Sequence, residues 1–116
     1  MYLLGFLLLL ASNFAMDSYY IHFERSGGFA GITQTLELKS DTLSLEDQDY
    51  LRKLIDTSGF FDLKEETDSG APDQFNYKIT IKTGDKENTL ETGDVDMKEE
   101  LRPLIDYLTD KMRHRQ

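Results

Sequence analysis

Apolar and polar residues alternate along several stretches of this chain, which is the pattern of half-buried β-strands. The strictest alternation covers residues 75–83, and residues 19–25 show the same period. Residues 32–39 also alternate and place Ile32, Leu36 and Leu38 on one face. Residues 86–92 follow a turn signal at Gly84-Asp85. The sequence therefore predicts four strands, joined as two hairpins.

Two other segments carry apolar residues at the spacing of an amphipathic helix. The first follows Ser44, a favoured N-cap residue, and ends at about Thr57, before Gly59. Its predicted buried face comprises Leu51, Leu54, Ile55 and Ser58, extended by Leu45 and Gln48. Phe60 and Phe61 follow and are predicted to enter the core.

The second helix is limited by Pro103, because proline is tolerated only in the first turn. We therefore predict that it begins near Glu99 or Glu100 and ends at about Met112. Its apolar stripe consists of Leu101, Leu104, Ile105, Leu108 and Met112.

The predicted order is ββαββα, which indicates a single α+β domain with a four-stranded antiparallel sheet packed with two helices. The simplest arrangement places both helices on one face of the sheet, although one helix on each face stays open. In the first case the other face is polar and wet. Residues 62–74 show no periodicity, so they are either a functional loop or a linker.

The composition of the chain argues against several classes of function. The chain has 116 residues and a net charge of −9, whereas binding to nucleic acid needs a basic surface. There is no cysteine, which excludes disulfides, zinc–thiolate sites and a thiol nucleophile. His22 and His114 are far apart in sequence, so neither a metal site nor a cofactor is expected.

No catalytic set is visible either. The serines have no plausible histidine partner, and the adjacent pairs Glu65-Glu66 and Glu99-Glu100 are typical of a solvated surface. Gly27-Gly28 joins two strands and lacks the following helix and the Lys-Ser/Thr pair of a phosphate loop. The sequence therefore favours binding over catalysis.

Near its start the chain has an apolar run, residues 2–11, that is too short to span a bilayer. It is interpreted either as a signal-like segment or as the product of a start upstream of Met16. In both cases we expect residues 1–15 to lie outside the fold and residues 16–116 to form the domain. A start at Met16 predicts a cytoplasmic protein, and a signal segment predicts a secreted or periplasmic one.

The loop after the first strand is rich in glycine, with Gly27, Gly28 and Gly31 around Phe29. Glycine permits positive φ angles and close backbone approach, so this loop has shapes that most sequences lack. Phe29 has two interpretations. It folds back onto the core, or it is presented to a pocket of a partner.

Residues 23–32, F-E-R-S-G-G-F-A-G-I, resemble the opening motif of the emfourin family. Further segments that resemble the family follow in order: residues 51–61, 70–77, 90–92 and 101–108. The members are small protein inhibitors of thermolysin-like (protealysin-type) zinc metallopeptidases. The resemblance implies a monomer when free, whose partner is such a peptidase and which binds no zinc by itself.

The resemblance also implies a mechanism, in which the rigid glycine-rich loop enters the active-site cleft and blocks substrate access. Phe29 is then the candidate for the pocket just beyond the scissile bond. Glu24 and Arg25 either orient the loop or form a surface ion pair. The full set of candidate contact residues is Arg25, Ser26, Gly27, Gly28, Phe29, Ala30, Gly31, Asp73, Gln74, Thr92, Gly93 and Asp94.

Two alternatives remain open beside the inhibitor. One is a binding module of another class that uses the polar sheet face or an exposed strand edge. The other is a secreted accessory protein with residues 2–15 as signal or anchor. The two differ in the mature N-terminus, and the first should tolerate loss of Phe29.

Overall fold

The computed structural model describes residues 18–28, 31–64 and 74–114. These residues form one α+β domain in the order ββαββα, as predicted. Its elements are β1 (Tyr19–Gly27), β2 (Gln34–Lys39), α1 (Leu45–Ser58), β3 (Phe75–Thr83), β4 (Lys86–Gly93) and α2 (Arg102–Arg113). Short 3-10 helices cover Ser40–Thr42, Phe60–Asp62 and Glu99–Leu101. The predicted segment 1–15, its boundary at Met16 and most of the loop 62–74 lie outside the described residues.

The four strands form one antiparallel sheet in the order β2-β1-β3-β4. The register aligns the apolar rows of neighbouring strands: Ile21 lies opposite Leu38 on one side and Ile81 on the other. Partners in an antiparallel sheet point to the same face, so these rows make one continuous apolar face.

Both helices pack on that apolar face, because their buried residues join the same core as the strand residues. Leu51 and Ile55 of α1 and Leu104 and Leu108 of α2 are almost fully buried. Each such side chain contributes about 1.5–3 kcal/mol relative to an exposed one. The other face of the sheet is left open, with Glu24, Lys78 and Glu91 side by side in register on it.

The helix ends follow the local signals of the sequence. The Ser44 hydroxyl accepts a hydrogen bond of 3.1 Å from the Asp47 amide, and Gly59 ends α1 with a φ of +67°. Pro103 lies in the first turn of α2. The predicted regular helix from Glu99 is corrected: residues 99–101 form a 3-10 turn, and the α-helix begins at Arg102.

Three predictions of burial or extent are wrong in detail. Strand β2 begins at Gln34 instead of Ile32, and the Ile32 side chain is 62% exposed. Leu45 is 83% exposed, so it does not extend the buried face of α1. Phe60 enters the core, whereas Phe61 is only partly buried at its border and meets Phe60 edge to face.

Candidate functional site

The glycine-rich loop leaves the sheet with its backbone pressed against the start of β3. Gly27 and Gly28 have φ angles of +98° and +72°, which L side chains rarely adopt. A Cβ on Gly27 would lie 2.4 Å from the Gln74 carbonyl oxygen, and one on Gly28 would lie 2.9 Å from the Phe75 ring. Glycine is therefore required at both positions. We call residues 27–31 the glycine loop.

The chain segment after β4 lies at the same end of the sheet. Gly27 pairs with Phe75, and the neighbouring Asn76 pairs with Gly93, so the two chain segments flank the start of β3. The Asp94 amide donates to the Phe75 carbonyl oxygen at 3.2 Å. We call residues 93–95 the Asp94 turn.

Gln74 connects the glycine loop to the Asp94 turn. Its backbone carbonyl accepts a hydrogen bond from the Gly28 amide at 3.2 Å. Its side-chain Oε1 accepts one from the Val95 amide at 2.9 Å. A Cβ on Gly93 would lie only 2.6 Å from the Gln74 side chain, so Gly93 makes room for this contact. Three segments that are distant in sequence thus form one surface.

A cluster of larger side chains lies behind this surface. The Arg25 guanidinium carbon is 3.7 Å from the centroid of the Phe75 ring. The Tyr77 hydroxyl donates to Oδ1 of Asp94 at 3.0 Å, and Arg102 donates to the Asp94 carbonyl oxygen at 3.1 Å. The Asp94 turn is therefore held from two sides.

The Tyr77 phenol reflects this environment. Burial raises its pKa above the ordinary 10.0, and the hydrogen bond to Asp94 and the negative charge of Asp94 raise it further. The positive charge of Arg25 has the opposite effect, because it favours the ionised phenol. At neutral pH the phenol is protonated and donates to Asp94.

The structure brings six of the candidate contact residues together at this end of the sheet: Arg25, Gly27, Gly28, Gln74, Gly93 and Asp94. Gly31 is exposed, and a Cβ there would have no neighbour within 4 Å. Phe29, Ala30 and Asp73 lie outside the described residues, so their role as contacts stays a prediction.

Two candidates are placed differently. Thr92 is only 4% exposed, and its hydroxyl lies 3.4 Å from the Gly93 carbonyl oxygen within the sheet. Ser26 borders a shallow cavity of about 190 Å³ on the open face of the sheet, together with Glu24 and Lys78. Glu24 lies beside His22 at 4.0 Å, on the face opposite to Arg25.

Sequence reasoning missed four residues at this end of the sheet: Phe75, Tyr77 and Arg102 in the cluster, and Val95 in the turn. Phe75 and Tyr77 were predicted only as members of a strand. A signal was present at Tyr77, since a buried phenol in an otherwise apolar row needs a hydrogen-bond partner. Val95 is 80% exposed beside Asp94, and its position in a polar segment gave no pattern.

Among the described residues, no group of three or more His, Cys, Asp or Glu side chains is arranged to hold a metal ion. Nor does any helix in the described part of the chain have the length and apolarity needed to cross a membrane.

Comparison with known proteins identifies the family. No curated protein and no solved structure matches the chain significantly. The family model described as Emfourin matches residues 23–109, which include every described element of the site end of the sheet. The match covers about three quarters of the 116 residues, and the chain belongs to the Emfourin family.

Proposed function

We propose that this protein inhibits thermolysin-like, protealysin-type zinc metallopeptidases by placing the glycine loop in their active-site cleft. Membership of the Emfourin family supports the broader class, an inhibitor of metallopeptidases that is not itself an enzyme. The target and the mode of contact are our proposal.

The observation that carries this proposal is the double contact of Gln74. Its two oxygens bind the Gly28 and Val95 amides, so the start of the glycine loop and the Asp94 turn are fixed relative to each other. A surface that is ordered before binding loses less conformational entropy on docking than a free peptide does. This favours an inhibitor over a flexible substrate-like segment.

Phe29 is the proposed anchor in the apolar pocket of the peptidase. It lies in the glycine loop between Gly28 and Gly31, and large apolar anchors dominate the binding energy of many interfaces. The Asp94 turn adds a carboxylate and the exposed Val95 beside it, so the proposed contact extends over both chain segments.

The test is a titration of the activity of a thermolysin-like peptidase with the full chain, a Phe29→Ala variant and a Leu45→Ala variant. Leu45 is the matched control, because it is an apolar residue that is 83% exposed on α1. We expect stoichiometric loss of activity with the full chain. The inhibition constant should rise at least about tenfold for Phe29→Ala, as for an interface anchor, and stay unchanged for Leu45→Ala.

Each other outcome has a definite meaning. Inhibition that Phe29→Ala leaves unchanged would retain the function and move the main contact to the Asp94 turn. No inhibition of several such peptidases would reject the proposed function. The open sheet face, with its cavity of about 190 Å³, would then be the next surface to test for a binding partner.

A further inference from the structure

We propose that Arg25 is a positioning residue, which holds the start of the glycine loop, at Gly28, and the Asp94 turn in one arrangement. Its effect on inhibition rests on the proposed function. Its effect on the free protein does not, and the two are measured separately below.

Arg25 is packed as an internal residue. Its guanidinium lies 3.7 Å from the centroid of the Phe75 ring, and its Nε is buried without a hydrogen-bond partner among the described residues. A planar guanidinium stacks on an aromatic face, and part of its hydration is then replaced by the ring. This is the environment of an internal packing contact.

The Phe75 ring lies between Arg25 and the backbone of Gly28. A Cβ on Gly28 would lie 2.9 Å from Cε1 of this ring, so the ring touches the backbone of the glycine loop as well as Arg25. The backbone carbonyl of the same residue accepts the hydrogen bond of the Asp94 amide at 3.2 Å. Phe75 therefore contacts both segments of the surface, and the Arg25 guanidinium stacks on its ring.

Tyr77 connects Arg25 to the Asp94 turn. Arg25 and Tyr77 lie opposite each other in the β1–β3 register, and the Tyr77 hydroxyl donates to the Asp94 carboxylate at 3.0 Å. Arg102 donates to the carbonyl of the same residue from α2. Asp94 is thus bound through its carboxylate by Tyr77 and through its carbonyl by Arg102, and linked hydrogen bonds of this kind strengthen one another in a partly buried site.

Arg25 and its neighbour Glu24 lie on opposite faces of the sheet. Adjacent residues of a strand point to opposite faces, so Glu24 lies on the open face beside His22. The ion pair between Glu24 and Arg25 that the sequence left open is not formed. Arg25 instead orients the loop through Phe75 and Tyr77.

The experiment measures amide hydrogen exchange in the free full chain by NMR. The reporters are the amides of Gly28 and Asp94, which make the two cross-segment hydrogen bonds, and the reference is the Ile79 amide in the middle of β3. The variants are Arg25→Met, which keeps an apolar stem over Phe75, and Arg25→Lys, which keeps the charge but lacks the planar group. Arg52→Met is the matched control, since Arg52 pairs with Asp49 on α1.

We expect both reporter amides to exchange about fivefold faster in Arg25→Met, as the loss of a stacked, partly buried cation implies. Arg25→Lys should give an intermediate increase, and Arg52→Met none. Should Arg25→Met fail to fold, Arg25→Lys carries the test by itself, because it keeps the charge and removes only the planar group that stacks on Phe75. Unchanged exchange at both reporters would overturn the proposal. Equal acceleration at Ile79 would also overturn it, because the effect would then be global.

The link to inhibition is tested with the same variants against a peptidase that the full chain inhibits. The inhibition constant should rise about tenfold for Arg25→Met, because ordering the loop then costs entropy on binding. Faster exchange with unchanged inhibition would overturn the positioning role. If the full chain inhibits no peptidase, the proposed function fails, and the exchange data still decide whether Arg25 holds the two segments together.

Discussion

Gln74 is the single residue through which the two parts of the proposed contact surface meet. Its backbone oxygen serves Gly28 and its side-chain oxygen serves Val95. Neither contact leaves room for a side chain on the facing residue. That residue is Gly27 for the backbone oxygen and Gly93 for the side chain of Gln74. The arrangement therefore depends as much on two glycines as on the glutamine itself.

The two glycines at either end of the glycine loop should respond differently to a methyl group. Gly31→Ala adds a Cβ in open space at a φ of +62°, so we expect it to cost only about 1–2 kcal/mol of unfolding free energy from backbone strain. Gly27→Ala is more strained, because a φ of +98° lies outside the left-handed region that L residues adopt, and it also has a contact of 2.4 Å with the Gln74 carbonyl oxygen. We expect a clearly larger loss, measured by urea denaturation.

Gly31→Ala is the control for the effect of backbone strain alone. Equal losses for the two variants would show that the Gln74 backbone moves aside freely. The close packing of the glycine loop against the start of β3 would then contribute little to stability.

The sequence predicted part of this site. The glycine loop could be found from Gly27, Gly28 and Gly31, and Gln74 and Asp94 were among the candidate contacts that the family resemblance implied. The internal cluster could not be found, because Arg25 and Tyr77 meet only through a strand register that joins residues far apart in sequence. Local periodicity shows which face of a strand each residue uses, but not which residue of a distant strand lies opposite it.

At the scale of elements, local signals predicted some boundaries and failed at others. Strand β3 has the predicted bounds, since strict alternation and the Gly84-Asp85 turn define both ends. In the sequence, Ile32 continues the alternation of β2. In the structure it follows Gly31, whose φ is positive, and it has no partner in the β1–β2 ladder. Alternation shows which face a residue would use, and pairing decides whether the strand extends that far.

Helix α1 shows the same limit. Leu45 lies six residues before Leu51, and at 3.6 residues per turn it is about 120° away from Leu51 around the axis. It therefore lies outside the stripe of Leu51, Ile55 and Ser58 that faces the sheet. The first residue of a helix can also project beyond the element it packs against, which the sequence pattern does not report.

The N-cap of α1 gives a prediction at this scale. The Ser44 hydroxyl satisfies the Asp47 amide, one of the four amides that a helix start leaves without a helical partner. Ser44→Ala should lower the unfolding free energy by about 1 kcal/mol. Thermal and urea unfolding, followed by far-UV circular dichroism, would measure the loss.

Thr57→Ala, on the exposed side of the same helix, is the control and should be neutral or slightly stabilising, because alanine favours the helix. A Ser44→Ala variant as stable as the unaltered protein would mean that water replaces the cap. The start of α1 would then be set by packing alone.

At the scale of the whole molecule, the sheet separates two environments. Its covered face packs against α1 and α2, and its open face carries charges of alternating sign, such as Glu24, Lys78 and Glu91. The net charge of −9 favours solubility and attraction to basic partner surfaces. The proposed contact surface lies at one end of the sheet and needs neither face.

Alkaline pH should destabilise the whole molecule through two tyrosines. The pKa of Tyr77 is raised above 10.0 by burial and by Asp94, and that of Tyr107 is raised by burial and by the charges of Asp47 and Tyr50. The folded state then holds protons that the unfolded state releases, so stability is fully present below about pH 10 and falls as pH rises towards the folded pKa values.

Urea unfolding at a series of alkaline pH values would measure this loss. Tyr77→Phe and Tyr107→Phe should each make the decline above about pH 10 less steep than in the unaltered protein. An identical decline in both variants would mean that these two phenols do not link folding to pH.

The strand order β2-β1-β3-β4 also bears on how fast the protein forms. The central pair joins Tyr19 to Thr83 at one end and Gly27 to Phe75 at the other, a sequence separation of 64 and 48 residues. Hairpins between neighbouring strands close quickly, but this central pairing must close a long loop before it gains its contacts. We therefore expect folding in milliseconds or slower, with the pairing of β1 with β3 as the step that limits the rate. The β3–β4 hairpin should form earlier, so that β1 can pair with a strand that is already in place.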